Sequence, residues 1–192
     1  MSVRLLLRTS ERVRVVSPWD PAVDEALRDR LRAHDLSALD GRRLDGATWF
    51  EVRGLSAGEI RRLRPLLPPA PVEVAAWLSA YARDNEAALS PFVDRAFRAW
   101  QDELGYVYLR AALEKVEGLD LWPIAREDFL GLQLWPESAT DALPPDTGRW
   151  LGAIAYRLSM LDPEKKSPSG SPPAELSGTT AERDQTTAAE SG

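Results

Sequence analysis

Between Ser90 and Val116 apolar side chains recur at three- and four-residue steps: Val93, Phe97, Trp100, Leu104, Val107, Ala111 and Leu113. That spacing sets them along one stripe of an α-helix, the longest such stripe in the chain. Ser90 is a favourable N-cap, and Pro91 suits the first helical position, where its missing N–H would have had no partner. A helix from Pro91 to Val116 is therefore the frame on which the rest must pack.

Shorter elements surround it. Apolar, β-branched runs at Val3–Leu7 and Val13–Val16 flank the polar link "RTSER" and predict two strands joined by a turn. Asp20 and Pro21 supply a second cap and first-turn pair, with Val23, Leu27 and Leu31 at helical spacing, predicting a helix from Pro21 to His34. Thr48–Leu55 carries the aromatic and β-branched enrichment of a third strand, placed to pair with the first two. "SAGE" at Ser56–Glu59 fits a capping box and opens a short helix that ends before the Pro-rich stretch Arg64–Pro71. Val74, Leu78, Tyr81 and Ala82 form one stripe of a further helix, divided from the long one at Pro91. Glu117–Pro145 is apolar but broken by Pro and Gly, an ordered connection lying against the helices. A last helix begins at Pro145–Thr147 and aligns Trp150, Leu151, Ile154, Leu158 and Leu161.

After Asp162 the chain has no aromatic and almost no large aliphatic residue, too little apolar surface to offset the entropy of ordering. The expectation is an α+β fold, mainly helical, with short N-terminal antiparallel strands packed against a helical bundle. It occupies one domain over residues 1–162, with a disordered tail over 163–192.

Several function classes lose ground on composition. The absence of Cys removes disulfides, thiolate nucleophiles and Cys-based zinc sites. A formal charge of −6 argues against a protein built to neutralise nucleic-acid phosphates. No apolar run is long enough to span a bilayer, and the first residues are too short and too charged for a secretion signal, so the expected compartment is the cytoplasm and no membrane partner is expected. Seven Trp is a high count for 192 residues, and it serves a core or an interface equally well.

No residue pattern satisfies a catalytic template. His34 is the single histidine and falls at a helix end, where covering terminal carbonyls is its ordinary use. No "GxSxG" elbow accompanies it. Glu114, Glu117 and Asp120 recur at three-residue steps without the Asp/Asn-rich, Gly-centred loop of a calcium site, and read as a solvated helix end. Asp84 and Glu86 would act as an acid/base pair only inside a cleft. "GLSAG" and "GRRLDG" lack the glycine spacing and Lys-Ser/Thr of a phosphate loop. Arg42, Arg43 and the "RRLR" run at Arg61–Arg64 form a basic cluster, which matters for nucleic acid only if it converges on one face. No metal or cofactor site is expected. The aromatic supply of the helical half then points to a protein working by contact, and Trp77, Tyr81, Phe97, Trp100, Trp150 and Ile154 are the candidate partner-binding residues.

"TWFEVRGLSAGEI", "LGYVYLRAALEKVEGLD" and "LPPDTGRWLGAIAYRLSMLDPEKKS", in that order, resemble the tail assembly chaperones of tailed phages. Phe50–Glu59, Val116–Gly118 and Leu151–Lys166 occupy the positions of that family's strand motif, short glycine segment and final helix. The resemblance implies a non-catalytic binder, working in the host cytoplasm, that keeps a tape measure or other tail protein soluble during assembly. It implies no catalytic or metal residues, and it leaves homo-oligomers possible. It also suggests a frameshifted longer product, with Lys165–Lys166 at the slippage site. The rival reading is a nucleic-acid-associated regulator using the arginine-rich helix face.

Overall fold

Three of the helices start on a side-chain cap, two of them on the residue expected from the sequence. In the computed structural model, which describes residues 12–84, 87–119 and 125–160, Ser56 and Glu59 form the full capping box of helix α2 (Ala57–Leu63). Ser56 Oγ accepts from the Glu59 N–H at 3.3 Å, and Glu59 Oε2 accepts from the Ser56 N–H at 2.8 Å. Ser90 Oγ likewise accepts from Val93 N–H at 3.3 Å at the start of the long helix. Helix α1 departs from expectation: it covers Glu25–Arg32 and is capped by Asp24, whose Oδ1 accepts from Leu27 N–H at 2.8 Å. Asp20 instead ties two loops together, accepting from the N–H groups of Ala22 and Thr48 at 2.9 Å each. A carboxylate with two fixed amide donors outside the helix has no reason to cap it.

The chain is an α+β fold. Strand β1 (Arg12–Val16) pairs antiparallel with β2 (Trp49–Arg53), and β2 pairs antiparallel with β3 (Leu113–Glu117). The third strand is a correction to the sequence reading, since the helix expected to reach Val116 ends at Ala112. Tertiary contacts take over its backbone there. The Leu113 carbonyl accepts from the Trp135 indole at 2.6 Å and from Arg126 at 3.1 Å, and the Glu114 carbonyl accepts from Arg126 at 2.8 Å. Register places Val13, Val52 and Leu113, then Val15, Phe50 and Val116, on the inner face. The outer face sets Arg12 opposite Arg53, a pairing of like charges that a register irregularity at Glu51/Val52 relieves. Glu114, left without a cross-strand partner by that bulge, bonds the Arg53 guanidinium and lies 3.8 Å from that of Arg12.

Helix α6 (Pro145–Met160) is the spine of the core, burying Trp150, Leu151, Ile154, Ala155 and Leu158. Its polar atoms anchor the rest: the Trp150 indole donates to the Leu31 carbonyl at 2.9 Å, Ser159 Oγ accepts from Leu55 N–H at 3.0 Å, and the Thr147 hydroxyl meets that of Ser17 at 2.7 Å. It crosses helix α4 (Pro91–Ala112) at Gly105 and Gly152, where the backbones touch. The stretch read as an ordered connection contains a small hairpin, β4 (Glu127–Phe129) with β5 (Leu132–Leu134), and helix α5 (Glu137–Asp141). Its turn residues Leu130 and Gly131 both take positive φ, 51° and 75°, the handedness a two-residue hairpin turn requires.

The strand expected over Val3–Leu7, residues Glu86, Asp120, Trp122 and Leu161, and the tail with Lys165–Lys166 lie outside the described residues.

Candidate docking site

The stripe that predicts one long helix serves two purposes in α4. From Leu104 onward it is core, with Leu104, Tyr108, Leu109, Ala111 and Ala112 buried, whereas none of residues 91–103 is buried. Helix α3 (Val72–Tyr81) packs against that first half of α4, and only Val74 within it is buried. The two segments form a helical arm held by its own aromatic row. Trp77 stacks on Tyr81 with centroids 5.3 Å apart, meets Phe97 edge-on at 5.4 Å, and Phe97 meets Trp100 at 6.1 Å. Ring pairs in these arrangements add stabilisation beyond the area they bury. The indoles are anchored as well, Trp77 to the Ala87 carbonyl at 3.3 Å and Trp100 to the Pro68 carbonyl at 3.0 Å.

Four of the six candidate binding residues are thus brought together on the arm. The other two are not: Trp150 and Ile154 are 4% and 3% exposed and belong to the core. What faces solvent at the arm is Val72 at 84%, Phe92 at 69%, Tyr81 at 43% and Leu89 at 39%. Val72, Phe92 and Leu89 were not among the sequence candidates. A signal for them existed, since α3 has one charged residue, Glu73, in its ten residues. A helix apolar on all sides ordinarily lies buried, and this one exposes Val72, Ala75 and Ala76.

Several charged groups elsewhere are engaged in structure. Arg53 bonds Glu59 and Glu114, and both carboxylates sit partly buried with it. Burial alone would push the Glu59 carboxyl up, but hydrogen bonds from Arg53 and from the Ser56 amide and hydroxyl outweigh it and hold the group at about 2. Glu117 accepts from Arg14 and Lys115, so Glu114 and Glu117 belong to a strand-face ion network rather than to a solvated helix end. Among the described residues no group of three or more His, Asp or Glu side chains is placed to hold a metal.

His34 adopts φ 58° just past α1 and donates its backbone N–H to the Leu31 carbonyl at 2.8 Å, closing the helix. Its ring lies against Trp150, 6.3 Å between centroids, and its buried Nε2 has no hydrogen-bond partner among the described residues. Burial first, and the Arg157 charge second, lower its pKa. Two arginines of the rival reading, Arg42 and Arg62, are held by different elements. Arg42 lies 3.8 Å from the Asp24 carboxylate at the cap of α1, while Arg62 donates to the Gly131 carbonyl at 3.3 Å in the β4–β5 turn.

Two depressions lie outside the arm. One, of about 180 Å³, is lined by Trp19, Asp20, Phe50, Leu119 and the Ser17–Thr147 hydroxyl pair, and its buried polar groups bond one another or backbone amides. The other, of about 240 Å³, lies between α4 and α5 beside Tyr106 and Arg110, whose guanidinium is tied to Glu137 and to the Trp135 carbonyl.

Fold and surface together define an α+β domain bearing a helical arm with an exposed apolar face. Comparison with protein-family models, with curated proteins and with solved structures finds no match. No helix among the described residues is long and apolar enough to cross a membrane.

Proposed function

We propose that the chain is a non-catalytic binding protein of the phage tail assembly chaperone kind, which covers apolar segments of a tape measure or other tail protein until the tail encloses them. The observation that carries this reading is the tip of the arm, where Tyr81, Leu89 and Phe92 stand in solvent beside the row Trp77–Phe97–Trp100. Exposed aromatics on a rigid, internally packed support are suited to seat a partner helix, because little side-chain entropy is lost on binding. The net charge of −6 would keep such a complex soluble. The order of the three motifs resembling that family adds to the case. The nucleic-acid reading has less behind it, since Arg42 and Arg62 are tied to separate elements.

The test is co-expression of the chain with a tape-measure-like product encoded beside it. The expected result is that the product stays soluble and co-purifies, and that a Tyr81→Ser/Phe92→Ser variant loses both effects while keeping its helical circular dichroism. No gain in solubility and no co-purification would sink the proposal, and a gel shift of phage DNA by the chain would favour the rival.

A further inference from the structure

We infer that the contact between His34 and Trp150 is an acid-sensitive joint: protonating the imidazole frees α1 and residues 33–39 from α6, while the sheet and the α4–α6 crossing stay folded. It involves none of the arm residues and stands apart from the proposed function. The joint is built around one carbonyl. The Leu31 oxygen, in the last turn of α1, accepts from the His34 N–H at 2.8 Å and from the Trp150 indole of α6 at 2.9 Å. The Asp35 N–H returns to the Arg30 carbonyl at 3.0 Å. This closure sets His34 at φ 58°, a conformation that glycine takes most readily. What supports a larger residue there is its ring, stacked on Trp150 at an interplanar angle of 24° with Nε2 buried.

The site has no place for a second proton on that ring. A protonated imidazole donates from both nitrogens, and the buried Nε2 has no acceptor among the described residues. Of the charged groups around it, Arg157 acts on the ring from α6 and repels a cation. On the α1 side, Asp35 is taken up by Arg30 at 2.7 Å and by the Ser37 hydroxyl at 2.6 Å, and Arg32 lies 3.8 Å from Asp29. The stretch Leu36–Leu39 carries no titratable group. Burial, then the Arg157 charge, therefore favour the neutral ring. Moving the charged ring into water relieves the cost, and it takes the closing residue of α1 off its support. Opening there is the cheaper route, because α1 buries only Leu27 and Leu31 of its eight residues, whereas unfolding the whole chain exposes the core around α6.

Hydrogen exchange of the full chain, followed by NMR across the range in which histidine titrates and corrected for intrinsic rates, tests the joint. His34 should titrate below 6.5. Opening read at the His34 and Asp35 amides should increase by up to about tenfold per pH unit as pH falls from 6.5 towards the folded value, then level off. At every pH these amides should exchange about tenfold or more faster than those of Leu109 and Ile154, which open only with the whole chain. His34→Asn should remove the pH dependence. Arg157→Gln, an exposed substitution, should raise the His34 titration point and narrow the window. A His34 that titrates at 6.5 or above would overturn the inference, as would protection that does not change with pH or a change that persists in His34→Asn. Exchange of His34 and Asp35 in step with Leu109 and Ile154 would overturn it too, since acid would then act only through unfolding of the whole chain.

Discussion

A Cβ placed on Gly152 would lie 2.7 Å from the carbonyl carbon of Gly105, and one on Gly105 would lie 3.0 Å from that of Gly152. The two glycines are therefore the point at which α4 and α6 lie backbone against backbone. This close crossing lets both helices reach the inner face of the sheet at once, and Gly148 adds a second tight spot by making room for the Tyr106 ring.

Alanine ordinarily favours a helix over glycine, so the sign of a substitution at the crossing is diagnostic. Gly152→Ala should lower stability by about 1–3 kcal/mol through overpacking. Gly58→Ala, where the added Cβ meets only Ser56 Oγ at 4.0 Å, should raise it by about 0.5–1 kcal/mol. Urea denaturation of the two variants beside the native chain checks both signs.

Glu59 has its carboxyl held at about 2, well below its ordinary 4.5. A depressed carboxyl stabilises the folded chain above its unfolded pKa, and that contribution is lost as pH falls from 4.5 through about 2. Glu59→Gln should be less stable than the native chain at neutral pH, and the difference should shrink across this window. Chemical denaturation at a series of pH values measures the gap. A constant difference would mean that the charge contributes nothing.

His34 behaves in the same sense for a different reason. Its lowered pKa means that the folded state prefers the neutral ring, so stability is full above 6.5 and falls as the pH drops below it towards the folded value. As the single histidine, it should account for the pH dependence just below that point. His34→Asn, which tolerates the observed φ of 58°, should flatten thermal stability there.

The six aromatic and aliphatic candidates divide into two groups that mutagenesis separates. Trp150→Ala should cost about 3–5 kcal/mol, because it empties a core site and removes the donor to the Leu31 carbonyl. Phe92→Ser should change stability by no more than about 0.5 kcal/mol, its ring being mostly in solvent, and should act on partner binding instead. Thermal melts and co-purification of both variants distinguish the roles.

Local chemistry was legible at several positions where the deciding atoms are near in sequence, though not at the Asp24 cap of α1. The Ser56–Glu59 box, the Ser90–Pro91 start of α4 and the amphipathic stripe of α6 follow from capping groups and helical periodicity within a few residues. Four of the six binding candidates lie on one arm because they recur on two neighbouring helices. Tertiary structure decided the remainder. Leu113–Glu117 continues a helical pattern, yet it is a strand because β2 offers a paired edge and Trp135 and Arg126 take the carbonyls at the turn. Asp20 has the form of a cap but answers to Thr48, 28 residues away. Trp150 and Phe92 are both aromatics on amphipathic helices, yet the first is buried with its indole bonded to the Leu31 carbonyl, 119 residues away, and the second stands in solvent. Periodicity states that a helix has an apolar face; what covers that face depends on residues far away in the chain.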